Sequence, residues 1–126
     1  MKNLVKVFSI IIFLFSGLCF ADTTIVDVFQ CKLKEGKTMK DVGVVNEKWV
    51  KYMNTHVKSS GINSYDLAPK VGNIEGFMYV DVYPDLKTWA ASDDVMKKTK
   101  EGKALQKELS AVAKCSSNSL YSSTKH

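Results

Sequence analysis

The sequence contains no arginine, because all 18 of its positions counted as Lys or Arg are lysine. Bidentate contacts to phosphate groups and to guanine are typically made by arginine. The lysines are also spread among acidic residues, whereas a nucleic-acid site needs a concentrated basic stripe with interleaved aromatic side chains. We therefore expect no nucleic-acid partner.

Beyond residue 21 the sequence also lacks an apolar run long enough to span a membrane, which takes about 20 residues. The long apolar run at residues 7–18 is too short for a span, and it follows Lys2 and Lys6. Small residues at positions 19 and 21 suit a signal peptidase. The sequence predicts a signal peptide over residues 1–21, a periplasmic or secreted protein, and no membrane span. The alternative is a lipid anchor on Cys19, which would want a smaller residue than Leu18 before it.

No repeat, low-complexity tract or internal linker divides the rest of the chain. Removal of residues 1–21 takes away two lysines and no acidic residue, which lowers the formal net charge from +5 to an ordinary +3. The remaining chain of about 105 residues is close to the usual size of one domain. We expect a single domain over residues 22–126.

Hydrophobic periodicity divides this domain into six elements. Thr38 with Asp41 predicts the start of a first helix, and Ser92 with the two acids after it predicts the start of a second. The elements are a strand at Thr23–Leu33, a helix at 39–58, strands at 62–67 and Phe77–Tyr83, a helix at 92–114 weakened or broken at Gly102, and a last strand at 115–122. This order is that of the α+β ferredoxin-like fold, in which a four-stranded antiparallel sheet carries both helices on one face.

The domain keeps two cysteines, Cys31 and Cys115. In the ferredoxin-like strand order the first and last strands are antiparallel neighbours, so the end of the first meets the start of the last. The two cysteines fall at these places, and an exported protein is oxidised. We expect a structural disulfide, because a redox-active pair would want a C-x-x-C motif or a helix N-terminus.

Alternation along the strands predicts two different sheet faces. One face is aliphatic and carries Val26, Val28, Met78, Val80, Val82 and Leu120. The other is aromatic and acidic: Asp27, Phe29, Tyr79, Asp81 and Tyr83 lie on it, with Ser117 expected opposite Phe29, Ser119 opposite Asp27, and Tyr121 further along.

The first helix adds polar side chains to the aromatic side. Asn46 and His56 fall within the arc of its apolar residues Val42, Val45, Trp49 and Met53. Each could satisfy a single group in a solid core. Because polar helix residues and a polar sheet face would meet in one layer, we expect a pocket there.

One stretch resembles a known family. Gly36 after the first strand, and the run Tyr79-Val80-Asp81-Val82-Tyr83-Pro84-Asp85-Leu86-Lys87-Thr88-Trp89-Ala90-Ala91-Ser92, are similar to the dimeric α/β-barrel superfamily, especially antibiotic-biosynthesis-monooxygenase-like and stress-responsive barrel domains. There two ferredoxin-like protomers pack sheet to sheet, and each keeps a cavity between its sheet and helices. The resemblance implies a homodimer through the aliphatic face. It also places Trp89 in the cavity, where many members have histidine.

Five interpretations of the site stay open at this stage. The first is a binding protein for a small organic molecule, whose ligand-binding residues are expected to be Phe29, Asn46, Trp49, Tyr79, Tyr83, Trp89 and Tyr121. The second, implied by the resemblance, is a cofactor-independent monooxygenase or cyclase acting on an aromatic or polyketide-like substrate, with His56, Asp81 and Asp27 as catalytic residues. Haem binding or degradation is less favoured, and a metal at Asp27, Asp81 and His56 lacks a recognised spacing. The protein could also be purely structural. We expect no cofactor and no metal.

Overall fold

The computed structural model describes residues 23–58, 61–72 and 75–126. The expected signal peptide lies outside the described residues. The elements in chain order are β1 (Thr23–Leu33), α1 (Met39–His56), β2 (Asn63–Leu67), β3 (Phe77–Tyr83), α2 (Leu86–Lys98), α3 (Lys100–Val112) and β4 (Ala113–Thr124).

The four strands form one antiparallel sheet in the order β2-β3-β1-β4. Every second residue of β3, from Phe77 to Tyr83, is buried against the helices, and the residues between them are only half-buried. The core lies between this face and the helices, with Val42 and Met53 of α1 fully enclosed. The predicted ferredoxin-like fold is confirmed.

Helix α1 begins where the sequence predicts, because Thr38 and Asp41 form a reciprocal cap. The backbone nitrogen of Thr38 donates to Oδ2 of Asp41 at 2.8 Å, and the backbone nitrogen of Asp41 donates to Oγ1 of Thr38 at 3.4 Å. These reciprocal bonds fix the first turn, where the Asp41 nitrogen also lies 3.0 Å from the Thr38 carbonyl oxygen.

The second predicted helix is two helices, and its expected start at Ser92 is wrong. Asp85 caps α2, because its Oδ1 accepts from the backbone nitrogen of Thr88 at 2.7 Å. Ser92 is buried inside α2, and its hydroxyl donates to the Thr88 carbonyl at 3.0 Å. The chain turns at Thr99, whose Oγ1 accepts from the backbone nitrogen of Gly102 at 2.9 Å and so caps α3.

Gly102 allows the close approach of α3 to the end of α2. A Cβ atom there would lie 2.6 Å from the Val95 carbonyl oxygen and 2.7 Å from Oγ1 of Thr99. These distances are too short for any side chain, so glycine is required inside the first turn of α3, although the break itself is at Thr99.

Cys31 and Cys115 are joined by a disulfide between β1 and β4, as the sequence predicts. The bond closes a loop with a sequence separation of 84. In the chain-entropy model, a loop of this length stabilises the folded state by about 4 kcal/mol. The bond fastens the edge strand β4 to the centre of the sheet.

The sheet face opposite the helices is apolar. It carries the half-buried side chains Val26, Val28, Met78, Val80 and Val82, and the exposed side chains Tyr65, Leu67 and Tyr121 extend it. Among the described residues no helix is both long enough and apolar enough to cross a membrane.

Candidate functional site

A cavity of about 840 Å³ lies between the sheet and the helices. Its volume is within the range of known small-molecule pockets. Its walls are largely aromatic on the sheet side and mixed on the helix side. The principal lining residues are Asp27, Phe29, Asn46, Trp49, Tyr79, Asp81, Tyr83, Trp89, Ser92, Asp93, Met96, Leu109 and Asn118.

Two aspartates face each other across the floor of this cavity. Asp27 of β1 and Asp81 of β3 are directly paired in the antiparallel register, and both side chains point toward the helices. The residues are only 4% and 7% exposed. Two carboxyl groups so close together and so little solvated favour uptake of a proton.

Asp27 accepts one hydrogen bond on each of its oxygens. The indole Nε1 of Trp89 donates to Oδ2 at 3.0 Å, and Nδ2 of Asn118 donates to Oδ1 at 2.6 Å. Burial raises the pKa of the Asp27 carboxyl, and the nearby charge of Asp93 adds to the rise, while the two hydrogen bonds oppose it. The two donors therefore favour the charged form of Asp27.

Asp81 accepts only one hydrogen bond from the described residues, at Oδ1 from the Ser64 hydroxyl at 2.5 Å. Burial raises the pKa of the Asp81 carboxyl to about 7, and the charges of Asp27 and Asp66 contribute to the rise. Near neutral pH both the protonated and the charged form of this carboxyl are populated. Such a group is suited to exchange a proton or to bind a cation.

A third carboxyl, that of Asp66, joins the group from β2. Its Oδ1 accepts from Nδ2 of Asn46 at 2.7 Å, and the same nitrogen donates to the Ser64 hydroxyl at 2.9 Å. Burial raises the pKa of Asp66 as well. Within the described residues, none of the surface ion pairs includes any of these three acids.

Aromatic rings surround the acids. Trp49 and Tyr83 meet edge to face, with their ring centroids 6.4 Å apart. Burial raises the pKa of Tyr79 to about 12 and that of Tyr83 further, so both hydroxyls keep their protons at neutral pH. The hydroxyl of Tyr79 is buried and has no hydrogen-bond partner among the described residues, which leaves it able to donate to a ligand.

Most of the predicted site residues lie together at this cavity, but His56 does not. It is the last residue of α1 and is exposed, with its ring 4.1 Å from that of Tyr52 and its Nδ1 2.9 Å from the Tyr52 carbonyl oxygen. His56 lies at the angle of the apolar face of α1, but it is the last residue of the helix. The next residue, Val57, is buried in the core instead. The expected placement of His56 in the pocket is wrong.

Tyr121 is also misplaced by the sequence pattern. The register of β4 shifts by one residue next to the disulfide, between Gln30 and Cys31 of β1. As a result Tyr121 lies opposite Val26, on the aliphatic face, and Leu120 lies opposite Asp27. A one-residue shift exchanges the two faces of a strand, so both expected placements are wrong.

The same shift brings Asn118 opposite Phe29 and into the cavity, where Ser117 was expected. Sequence reasoning missed Asn118, and no local signal marks the shift. It also missed Ser64 and Asp66. These two residues alternate with exposed Tyr65 in β2, so the period of two along the strand could have placed them on the cavity side.

Among the described residues there is no group of three or more His, Cys, Asp or Glu side chains arranged to hold a metal ion. With His56 elsewhere, the three side chains weighed as metal ligands, Asp27, Asp81 and His56, do not come together. The cavity offers a cluster of acids, two tyrosine hydroxyls and aromatic surface, and Lys34, Lys97 and Lys114 also line it.

Comparison with known proteins supports the fold. No family model matches the sequence. No curated protein matches it either. Among solved structures, SnoaB, a cofactor-independent oxygenase from Streptomyces nogalater, is 7% identical over 82% of this chain and 95% of its own, with a TM-score of 0.57. A NIPSNAP family protein of unknown function from Agrobacterium tumefaciens is 11% identical over 81% of this chain and 89% of its own, with a TM-score of 0.58.

A dimeric ferredoxin-like protein of unknown function from Thermobifida fusca is 9% identical over 86% of this chain and 96% of its own, with a TM-score of 0.50. Similarity at these identities concerns the fold alone. At that level the chain shares the ferredoxin-like α+β fold of these structures, which is the fold that the sequence resemblance implies.

Proposed function

We propose that the cavity binds a small organic cation with an apolar or aromatic body. The observation that carries this proposal is the pair of buried carboxyls that line the cavity, Asp27 and Asp81. The half-buried carboxyl of Asp66 lies near them, and all three have hydrogen-bond donors but no ion-pair partner among the described residues. Like charges in a poorly solvated site repel each other, and a bound cation relieves that repulsion.

The aromatic walls suit the same ligand. A cation over the face of a tryptophan or tyrosine ring gains about 0.5 to 2 kcal/mol for each ring. Phe29, Trp49, Tyr79, Tyr83 and Trp89 all line the cavity and offer apolar surface for the body of the ligand. An ammonium group on a hydrophobic body would thus meet carboxylate and aromatic surface together.

Binding of benzyltrimethylammonium tests the proposal, with uncharged benzyl alcohol and anionic phenylacetate for comparison. We expect calorimetry to detect the cation and to show at least about tenfold weaker binding by Asp81→Asn, because the variant lacks the carboxylate. Glu108→Gln is a matched control, since it removes one negative charge from a surface ion pair with Lys48. Equal binding of phenylacetate, or equal loss in both variants, would contradict the proposal.

The pH dependence of binding has a definite sign. Asp81 must be charged to pair with a cation, and its pKa is about 7. Affinity should rise as pH increases through 7 and level off above it, because a permanent cation such as benzyltrimethylammonium does not itself titrate.

An enzyme is the second candidate, favoured by the same carboxyl. A buried acid with a pKa of about 7 beside the unpartnered hydroxyl of Tyr79 could move a proton to or from a substrate. SnoaB is a cofactor-independent oxygenase. The aromatic or polyketide-like substrate that the sequence resemblance implies is the first class to try. If the site catalyses, Asp81→Asn should lower turnover while the substrate still binds.

We also propose that the protein is exported and periplasmic or secreted. The pattern of residues 1–21 and the disulfide between Cys31 and Cys115 support this. Mass spectrometry of protein recovered outside the cytoplasm should find Asp22 as the first residue. An intact N-terminus would contradict export, and a lipid on Cys19 would contradict cleavage before Asp22.

A further inference from the structure

Asp81 is held by a chain of hydrogen bonds that begins at Asn46 of α1 and passes through Ser64 of the edge strand β2. Nδ2 of Asn46 donates both to Oδ1 of Asp66 and to the Ser64 hydroxyl, and that hydroxyl donates to Oδ1 of Asp81. An amide nitrogen carries two hydrogens, and both are used here. The opposite orientation of the Asn46 amide would set its oxygen against the Asp66 carboxylate, so the two neighbours determine which way the amide points.

This chain determines the direction of the Ser64 hydroxyl. A serine hydroxyl has one hydrogen and can rotate freely when nothing orients it. Here Asn46 occupies an acceptor position on Oγ, so the hydrogen of Ser64 is directed to Asp81. The second oxygen of Asp81, Oδ2, accepts no hydrogen bond from the described residues.

We propose that Asn46 and Ser64 are positioning residues that hold Oδ1 of Asp81 and leave Oδ2 as the oxygen that receives a proton or the ligand's cation. The part that concerns the ligand rests on the proposed function. The part that concerns the proton stands on the hydrogen bonds alone. Asn46 then acts through Ser64 and not by contact with the ligand.

Burial raises the pKa of Asp81, and the charges of Asp27 and Asp66 raise it too. The Ser64 hydrogen bond lowers it. Loss of that bond should therefore raise the pKa of Asp81 further. The other titratable groups lining the cavity are Tyr79 and Tyr83 of β3, Asp93 and Lys97 of α2, Lys34 after β1, and Lys114 of β4; α1 contributes none.

The test is an NMR titration of the aspartate carboxyls in the ligand-free, full-length domain with its disulfide intact. We expect Ser64→Ala to raise the pKa of Asp81 by about half a pH unit or more, because the charged form loses its only donor. Asn46→Ala should also raise it, and the double variant should match Ser64→Ala, since Asn46 acts through Ser64.

Two further variants make the result specific. Ser64→Thr keeps the hydroxyl and should restore the wild-type value. Ser119→Ala, which removes a hydroxyl from the opposite sheet face, should leave Asp81 unchanged. If Ser64→Ala does not fold, Ser64→Cys keeps the shape of the side chain and donates only weakly, so it should move the pKa in the same direction.

The proposal is overturned if the pKa of Asp81 does not rise in Ser64→Ala or Ser64→Cys, or if the effects of Asn46→Ala and Ser64→Ala simply add. Because no ligand is present, this result is independent of whether the cavity binds cations. If benzyltrimethylammonium does bind, Ser64→Ala should weaken its binding at pH 7 and approach wild-type affinity at higher pH, where Asp81 is charged in both proteins.

Discussion

At the scale of single residues, Asp27 and Asp81 show how neighbouring groups assign different properties to the same side chain. They are opposite each other in the sheet and similarly buried. Asp27 accepts a donor on each oxygen, from Trp89 and Asn118, whereas Asp81 accepts a donor on one oxygen only. Environments that give two neighbouring carboxyls different pKa values are typical of sites where one acid stays charged and the other exchanges a proton.

The raised pKa of Asp81 predicts how stability changes with pH. The folded state keeps the proton of Asp81 up to about pH 7, whereas its ordinary pKa is 3.8, the value expected in the unfolded chain. Between these values the folded state binds more protons, so its stability falls as pH rises. Asp81→Asn should remove this loss and be more stable than wild type at pH 8, by roughly 4 kcal/mol at most.

Urea unfolding at pH 5 and pH 8 measures this effect. Asp41→Asn is the contrasting variant, because the hydrogen bonds from Thr38 lower the pKa of Asp41. The stability contributed by Asp41 is present above its unfolded pKa and is lost as pH falls, so this substitution should destabilise at both pH values. If the Asp81→Asn protein is less stable than wild type at pH 8, the folded state does not raise the pKa of Asp81 in this way.

At the scale of elements, the register of β4 decides which side chains reach the cavity. The shift next to Cys31 turns the rest of the strand by one residue, which brings Asn118 to Asp27 and turns Tyr121 away. The disulfide between Cys115 and Cys31 holds β4 to β1 immediately before the shift. One irregularity in an edge strand therefore supplies one of the two donors to Asp27.

Paired substitutions in β4 test this register. Asn118→Ala should raise the pKa of Asp27, because the carboxylate loses the donor to Oδ1, and Ser119→Ala should not change it. NMR titration of Asp27 in both variants distinguishes the two faces. If the strand were regular, Ser119 would lie opposite Asp27 and the two results would be reversed.

At the scale of the whole molecule, the sheet face away from the helices carries an apolar patch at its centre. Its five half-buried aliphatic side chains, together with the exposed Tyr65 and Tyr121, form one continuous surface on the side away from the helices. Such patches usually mark an interface. A homodimer through this face, which the sequence resemblance implies, stays a prediction.

We expect the wild-type protein to sediment as a dimer at micromolar concentration, and Val80→Lys to give monomers or insoluble protein. Val80 is central on the apolar face, between Val28 and Tyr65, and a lysine there would bury an unpaired charge in the interface. Val44→Lys is the control, since Val44 lies on α1 and is 51% exposed. A wild-type monomer under these conditions would refute the dimer.

Much of the fold and part of the site could be predicted from the sequence, because both depend on local patterns. Alternation in β3 separates Tyr79, Asp81 and Tyr83 from Met78, Val80 and Val82, and the structure keeps this division. The Thr38 cap and the pairing of Cys31 with Cys115 also follow from residue type and element order. These features were predictable because the period of a strand and the chemistry of a cap are determined by nearby residues.

Tertiary structure alone decided the rest. The shift in β4 depends on how that strand meets β1, so neither Asn118 nor Tyr121 could be placed by counting residues from Cys115. His56 lies at the helical angle of the apolar face. It is excluded from the cavity because α1 ends at this residue and Val57 packs into the core in its place. The bond from Ser64 to Asp81 joins directly paired residues of the neighbouring strands β2 and β3. A repeating pattern specifies which way a side chain faces within its own element, whereas its partner is specified only when the elements pack.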